Sequence, residues 1–214
     1  MRILQIIDGL GTGGAEKLLV DTVPLLVDKG FVVDVLLLNG ERTPFYFELE
    51  KTHSCTIFSL GKSYYNPLYI FKMASFFKKY DLIHVHLFPA QYFAVFSKLL
   101  SFSKTKMVFT EHSTGNKRLN NPNFRILENW IYKHYVKIVC ITPGVYQSLH
   151  NKLAIDGNKL TVIENGINLN GIYQSSAGIR AELGLTAMDR ILIMVAGFRE
   201  QKDQDTVIRV MRLL

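Results

Sequence analysis

The chain has 214 residues, 48% of them hydrophobic, and a formal net charge of +7. This is enough apolar sequence for a substantial core. The longest stretch without a formal charge, residues 82–97, is shorter than the roughly 20 residues of a membrane span, so no transmembrane helix is predicted. Cys55 and Cys140 lie in apolar runs, and we expect two reduced core residues of a cytoplasmic protein rather than a disulfide.

Strand-like apolar runs alternate with helical patterns along the whole chain. Strands that are apolar on both faces and alternate with helices predict an α/β protein, with a Rossmann-like, mostly parallel sheet covered by helices on both faces. The predicted strands are residues 2–7, 31–38, 54–59, 81–86, 106–111, 137–142, 159–164 and 190–196. The predicted helices are residues 14–28, 44–51, 67–79, 90–101, 123–135, 143–153, 177–183 and 203–213.

A glycine-rich turn, residues 9–14, follows the first predicted strand and opens the first predicted helix. Such a turn lets a ligand approach the backbone closely, and the free N–H groups at a helix start favour anions, usually phosphate. The sequence therefore predicts a nucleotide or phosphate site at this turn. The alternative is a tight connection between strand and helix that binds nothing.

The spacing of Gly9, Gly11 and Gly14 also matches the dinucleotide-binding fingerprint. Two residues argue against NAD. The second predicted strand leads into Asn39, where that fingerprint has an acid for the ribose, and Glu16 would repel a pyrophosphate and suits a hydroxyl-rich ligand better. Because Glu41 follows shortly after, an NAD-dependent oxidoreductase stays open as an alternative.

The basic charge is concentrated in residues 62–137, which we call the basic window. It holds twelve Lys or Arg against three acids, a net charge of +9, together with 17 of the 25 aromatic residues. Basic residues interleaved with aromatic ones suit an anionic membrane surface or single-stranded nucleic acid. A solvated basic face over an aromatic core is the third interpretation.

The composition changes towards the end of the chain. Residues 165–176 are polar, contain glycine and lack apolar periodicity, which is typical of a linker between domains. We predict a domain at residues 1–168, a linker at 169–188, and the first strand–helix unit of a second domain at 189–214. About 25 residues cannot form a domain, and the chain ends without a polar tail or a helix cap, so we expect it to be truncated.

Six motifs occur in an order that resembles the retaining glycosyltransferases of family 4, which have two facing Rossmann-like domains (the GT-B fold). They lie at residues 11–17, 81–86, 110–113, 141–143, 162–168 and 195–203. The resemblance extends over essentially the whole chain. It implies that residues 1–168 bind the acceptor and that residues 189–214 begin a truncated nucleotide-sugar-binding domain. It also implies hexosyl transfer by the full-length protein, in cell-surface polysaccharide or glycolipid synthesis, with this fragment inactive.

The resemblance also implies roles for individual residues. His112 follows the fifth strand, where the family has a histidine that reaches towards the donor sugar and helps catalysis. The family's glycine loop lines the cleft between the domains, near the acceptor and the donor diphosphate. His84 and His86 are two positions apart on a strand, so their side chains point to the same face. We expect both to pack on the sheet, with His86 nearer the cleft. The substrate-binding candidates are Gly13, Gly14, Glu16, His86 and Glu111.

The donor pocket is where the chain departs most from the family. Alignment puts Gly197 at the family's Arg position, Lys202 matches the family's Lys, and Arg199 lies two residues late. We therefore expect Arg199 and Lys202 to bind the donor diphosphate. No cofactor is expected beyond a nucleotide-diphosphate sugar as co-substrate. No metal is expected either, because the sequence shows no carboxylate cluster suited to Mg²⁺ and nothing that completes a site with the two strand histidines.

The expected partners are a nucleotide-sugar donor and a sugar or lipid-linked sugar acceptor. An anionic membrane surface is a further expected partner, which would make the protein peripheral on the inner face of the cytoplasmic membrane; no nucleic acid is expected. Two further classes stay open. A sugar-nucleotide epimerase has the same two-domain architecture, and a nucleic-acid-binding module would explain the basic window.

Overall fold

The computed structural model of the protein describes residues 1–113, 118, 121–167, 169, 178–186, 188–198 and 200–212. The chain divides into two compact units, Met1–Asn168 and Leu169–Leu214. Within the described residues, no helix combines the length and the apolar character that crossing a membrane requires.

The first unit alternates strands with helices from its first residues. Its strands are β1 (Arg2–Ile7), β2 (Val32–Asn39), β3 (Thr56–Gly61), β4 (Leu82–His86), β5 (Lys106–Glu111), β6 (Lys137–Cys140) and β7 (Leu160–Val162). Its helices are α1 (Gly14–Asp28), α2 (Pro44–Lys51), α3 (Tyr69–Ala74), α4 (Ala90–Leu100), α5 (Pro122–Lys133) and α6 (Pro143–Leu153). The second unit contains α7 (Ile179–Glu182) and α8 (Gln204–Val210).

The seven strands form one sheet in the order β3-β2-β1-β4-β5-β6-β7, and neighbouring strands are parallel throughout. This confirms the predicted Rossmann-like α/β fold. Strand order reverses between β1 and β4, and α/β proteins bind ligands in the crevice outside the carboxyl ends of the strands at such a point. The loops that follow β1, β4 and β5 therefore meet at one edge of the sheet.

Strand β1 shows why both faces of the sheet are covered. Its side chains alternate, so that Ile3 and Ile7 join one buried cluster with α1 and α2, while Leu4 and Ile6 join another with the helices of the opposite face. The apolar residues on both sides of one strand thus bury two helical layers. Gln5 falls between Ile3 and Ile7 and is a buried polar residue on the α1 face.

Two predicted elements differ from the structure. The helix predicted at residues 67–79 is regular only over Tyr69–Ala74, after which turns continue the chain with Phe77 still buried. The strand predicted at residues 190–196 is wrong, since the described residues there have no strand conformation and Ile193 is 81% exposed. A strand requires a partner for its N–H and C=O groups, and no described segment of the second unit pairs with this one.

Candidate functional site

The glycine loop, residues 9–13, connects β1 to α1 at the edge of the sheet just described. Gly13 is the N-cap of α1 and has extended backbone, and no side chain caps this end of the helix. Gly14, the first helical residue, is exposed, and a Cβ built on it would meet no atom within 4 Å. The backbone at the start of α1 is therefore open to a ligand, and its first N–H groups lack an N-cap partner.

Glu16 folds back over this loop. A Cβ built on Gly13 would lie 2.3 Å from Oε2 of Glu16, so the carboxylate packs directly against the Gly13 backbone. A negative charge is favourable at a helix N-terminus. It also occupies part of the space that an anionic ligand would take, and it is a ready acceptor for the hydroxyl groups of a sugar.

Asp8, the residue after β1, was missed at the sequence level. Its Oδ1 accepts a hydrogen bond from the backbone N–H of Ala90 (2.9 Å), which ties the end of β1 to the start of α4. Burial raises the pKa of the Asp8 carboxyl to about 7, and the charge of Glu16 adds to the increase, while the bond from Ala90 and the charge of Arg118 oppose it. A carboxyl that follows a central parallel strand was the signal available in the sequence.

Three histidines lie on the α1 face at the neighbouring strand ends. Nε2 of His84 lies 2.7 Å from Oγ1 of Thr110. His86 is buried and uses both ring nitrogens: Nε2 lies 2.9 Å from Oε1 of Gln5, and Nδ1 lies 3.2 Å from Nε2 of His112. The structure thus brings His86 and His112 into direct contact.

All three histidines are neutral at pH 7. Burial lowers the pKa of His84 to about 4, and the neighbouring His112 adds to the decrease. Burial likewise lowers the pKa of His112 to about 4 and holds that of His86 well below its ordinary range, with the two other histidines contributing at His86. The cluster therefore acts through neutral hydrogen-bonding groups rather than through positive charge.

Glu111 points to the other face of the sheet. Its carboxylate accepts hydrogen bonds from the Tyr132 hydroxyl (2.5 Å) and from the backbone N–H of Ser113 (3.3 Å). Burial raises the pKa of Glu111 to about 7, although both hydrogen bonds and the charge of Arg118 act in the opposite direction. Both carboxylate oxygens are thus engaged inside the protein, and Glu111 fixes the start of the loop that carries His112.

A second buried acid, Glu128 on α5, was also missed. Glu128 is 0% exposed, and its Oε1 accepts hydrogen bonds from Arg118 Nε and from the Tyr92 hydroxyl (2.8 Å). The Arg118 guanidinium lies 3.9 Å from the centroid of the Phe88 ring. A charged residue three positions before Ile131 on the apolar stripe of the predicted helix was the signal for this cluster.

An apolar cavity of about 340 Å³ lies on the α1 face, beside the histidines. Gln5, His84 and His86 contribute polar groups to its lining, and Asn165 and Gly166 of the 162–168 motif border it. Within the described part of the chain, no group of three His, Cys, Asp or Glu side chains is arranged to hold a metal ion.

The donor-binding candidates belong to the second unit. Lys202 is exposed at the end of a short 3-10 helix, Glu200–Lys202. Arg199, the other candidate, lies outside the described residues, as does Asn168 of the 162–168 motif.

The family model described as Glycosyltransferase Family 4 matches residues 12–170. The matched segment begins within the glycine loop and includes all three histidines as well as Asn165 and Gly166. No curated protein matches the sequence significantly.

Three solved structures illustrate the likeness in fold. A glycosyltransferase from Rickettsia africae has a TM-score of 0.77 and 19% identity, over 98% of this chain and 56% of that one. Anabaena HepE in complex with UDP-glucose has a TM-score of 0.70 and 18% identity, over 86% and 50%. UDP-N-acetylglucosamine 2-epimerase from Rickettsia bellii has a TM-score of 0.57 and 14% identity, over 87% and 52%. At these identities the likeness shows a shared fold, and the chain spans about half the length of these structures.

Proposed function

Since the chain belongs to glycosyltransferase family 4, we propose that the full-length protein transfers a sugar from a nucleotide-diphosphate sugar to an acceptor hydroxyl with retention of configuration. In this reaction the bond between the anomeric carbon and the diphosphate oxygen breaks, and a bond to the acceptor oxygen forms. The hydroxyl proton leaves with the departing diphosphate. The observation that carries the proposal is the family match over residues 12–170, which include the end of the glycine loop and His112 at one edge of the sheet.

The first unit is proposed to bind the acceptor and to meet the sugar being transferred. The open backbone at Gly14 and the Glu16 carboxylate over Gly13 support this, because together they offer donors and an acceptor to a hydroxyl-rich ligand. His112 is the proposed catalytic residue, and it acts as a neutral group that hydrogen-bonds a sugar hydroxyl. Positioning of the acceptor hydroxyl against the anomeric carbon is the main contribution expected of this unit.

The second unit is proposed to bind the donor diphosphate through Arg199 and Lys202. Positive charge at this point stabilises the diphosphate as it leaves. The UDP-glucose bound to Anabaena HepE supports a nucleotide sugar as the class of donor. The variant Lys202→Ala should weaken donor binding about 10- to 100-fold, because a charge-assisted hydrogen bond contributes roughly 1.5–3 kcal/mol. Arg209→Ala, which removes an exposed cation from α8, is the matched control.

The acceptor is proposed to be a sugar or lipid-linked sugar in cell-surface polysaccharide or glycolipid synthesis, met at the inner face of the cytoplasmic membrane. Exposed apolar side chains within the basic window support this, since Phe71 is 64% exposed and Phe102 is 90% exposed. Each surface cation contributes roughly 1 kcal/mol to binding of an anionic membrane. Flotation with anionic and neutral vesicles tests this part, and equal binding to both would reject it.

Turnover of nucleotide sugars by the full-length protein tests the proposed reaction. A thermal-shift screen first identifies the donor, because a ligand that binds the native state raises the melting temperature. The donor is then incubated with and without sugar acceptors, and the anomeric configuration of the product is read by NMR. Acceptor-dependent transfer supports the proposal. Conversion of the donor without an acceptor would instead indicate an epimerase, a class represented among the solved structures of this fold.

A further inference from the structure

Gln5, His86 and His112 form a hydrogen-bonded chain across the carboxyl ends of three neighbouring strands. Gln5 lies on β1, His86 ends β4, and His112 follows β5. The two links measure 2.9 Å and 3.2 Å, and each joins residues far apart in the sequence. His86 is the middle member, and both of its ring nitrogens are used.

The first link fixes the proton on His86. In the amide orientation of the structure, the Gln5 oxygen faces the ring, and because this oxygen only accepts hydrogen bonds, Nε2 of His86 carries the hydrogen. A neutral imidazole has one N–H group, and Nδ1 of His86 is therefore a bare acceptor. Burial keeps this ring neutral by lowering its pKa well below the ordinary value.

The second hydrogen bond determines which ring nitrogen of His112 carries the hydrogen. Because Nδ1 of His86 can only accept, Nε2 of His112 must be the donor, which leaves Nδ1 of His112 bare. Among the residues that the structure describes, nothing bonds to that nitrogen. His112 is only half-buried, so its side chain is partly accessible at this edge of the sheet.

We propose that Gln5 and His86 are positioning residues that hold His112 in the neutral tautomer with Nε2 protonated, so that Nδ1 accepts a hydrogen bond from a hydroxyl of the sugar substrate. The identity of that substrate rests on the proposed glycosyltransferase function, whereas the tautomer itself does not. In the opposite tautomer Nδ1–H would donate instead. Nε2 of His112 would then face Nδ1 of His86 with no hydrogen between them.

The tautomer is read directly by NMR of the chain labelled with 15N at histidine. A protonated and a bare ring nitrogen resonate far apart, and the signals of His86 and His112 are assigned from single variants. We expect both rings to be protonated at Nε2. A wild-type His112 that is protonated at Nδ1 would overturn the proposal.

Two variants of Gln5 separate its acceptor oxygen from its bulk. Gln5→Leu has a similar volume and no hydrogen-bond acceptor, so Nε2 of His86 is no longer favoured as the protonated nitrogen. His112 should then populate both neutral tautomers. Gln5→Glu keeps an oxygen facing Nε2 of His86 and, at a pH above that at which its negative charge causes His86 to protonate, should preserve the wild-type tautomers. The matched control is Thr110→Val, which removes the hydroxyl beside His84 and should leave the tautomer of His112 unchanged. If His112 keeps its wild-type tautomer in Gln5→Leu, the proposed positioning of His112 through Gln5 and His86 is refuted.

Variants of His86 test the second link and remain informative if Gln5→Leu fails to fold. His86→Asn places an amide oxygen near the position of Nδ1 and should keep His112 in its tautomer, whereas His86→Leu should release it. In full-length protein, His86→Leu should lower kcat at least about tenfold with little change in donor KM, and His86→Asn should restore part of it. Equal kcat in the two variants would count against the positioning role. If wild-type protein shows the expected tautomers but turns over no nucleotide sugar, the proposed function is rejected. The positioning of His112 by Gln5 and His86 would still hold.

Discussion

The glycine loop lies beside the hydrogen-bonded residues Gln5, His86 and His112, which we call the histidine chain. Both regions are at one edge of the sheet, and they are built in opposite ways. The loop leads into an open helix start: a Cβ on Gly14, the first residue of α1, would meet nothing within 4 Å. The histidine chain is packed, since Gln5 and His86 are buried and bonded to each other. The start of α1 exposes backbone because Gly14 lacks a side chain, whereas the histidine chain consists of side chains that hydrogen-bond to one another.

This difference determines how each region responds to substitution. At Gly14, a new side chain finds empty space in the free protein and meets an obstacle only when a ligand is bound. In the histidine chain, a substitution also changes the partners of buried polar groups, whose loss costs about 1–3 kcal/mol each. Variants that affect binding but not stability are therefore expected at Gly14. Variants of the histidine chain are expected to change binding and stability together.

The largest expected effect is at His112, the half-buried end of the histidine chain. His112→Ala in full-length protein should lower kcat about 10²-fold or more, which is the scale of a lost polar contact to the reacting groups. The unfolding free energy should fall by no more than about 1–3 kcal/mol, because the His112 side chain is only half-buried and Nδ1 of His86 is the one buried group described that loses its partner. Steady-state kinetics and urea unfolding check the two halves of this prediction. Wild-type kinetics would overturn the catalytic assignment.

Asp8, the residue after β1, should make stability depend on pH. Its folded pKa of about 7 exceeds the ordinary value of 3.8, so folding favours the protonated carboxyl. That stabilisation is complete below pH 3.8 and is lost as the pH rises towards 7. Asp8→Asn keeps an acceptor for the Ala90 N–H and does not titrate.

Relative to wild type, Asp8→Asn should therefore gain stability between pH 5 and 6.5, by at most about 2 kcal/mol. Urea unfolding of both proteins across this range measures the difference, in which the titration of the histidines cancels. A difference that stays constant with pH would show that Asp8 is ionised at its ordinary pKa.

Gly14→Val tests the open side of the comparison. The valine side chain should block the close approach of a ligand to the start of α1, and we expect donor or acceptor binding to weaken about tenfold, or 1.4 kcal/mol. The unfolding free energy should stay within about 0.5 kcal/mol of wild type. Gly178→Val is the matched control, because it also adds a side chain in open space at the start of a helix. Unchanged calorimetric titrations would leave the loop as a connection that binds nothing.

The smallest expected effect is at Glu16, whose carboxylate lies against Gly13. Glu16→Gln removes a negative charge from the N-terminus of α1 and should strengthen binding of inorganic pyrophosphate about two- to fivefold. Asp28→Asn removes the same charge from the other end of α1 and serves as the control. Calorimetry at low ionic strength resolves the difference, and weaker binding by Glu16→Gln would mean that the carboxylate contributes to the site.

The sequence alone predicts the parts of this site that depend on local pattern. Apolar runs of β-strand length located the seven strands of the first unit to within a few residues. Alternation along a strand placed His84 and His86 on one face, because successive side chains point to opposite sides. The glycine loop was found at the start of α1 for the same local reason, since its residues are contiguous.

The parts that escaped prediction depend on contacts between distant residues. Gln5 and His86 are 81 positions apart, and Asp8 and Ala90 are 82 apart, so neither pair leaves a local signal. The strand predicted at residues 190–196 failed for a related reason. An apolar run shows that a segment can be buried in a sheet, but pairing depends on another strand.

The central position of β1 has a consequence for the order in which the chain can fold. β1 pairs on one side with β2 and on the other with β4, which ends at residue 86. A ribosome adds roughly 5–20 residues per second, so about 4–16 s pass between synthesis of β1 and synthesis of β4. During that interval β1, which is buried from Ile3 to Ile7 in the folded protein, has an unpaired edge, and an unpaired strand edge is a template for aggregation. The nascent chain therefore depends most on protection by chaperones before its eighty-sixth residue has emerged.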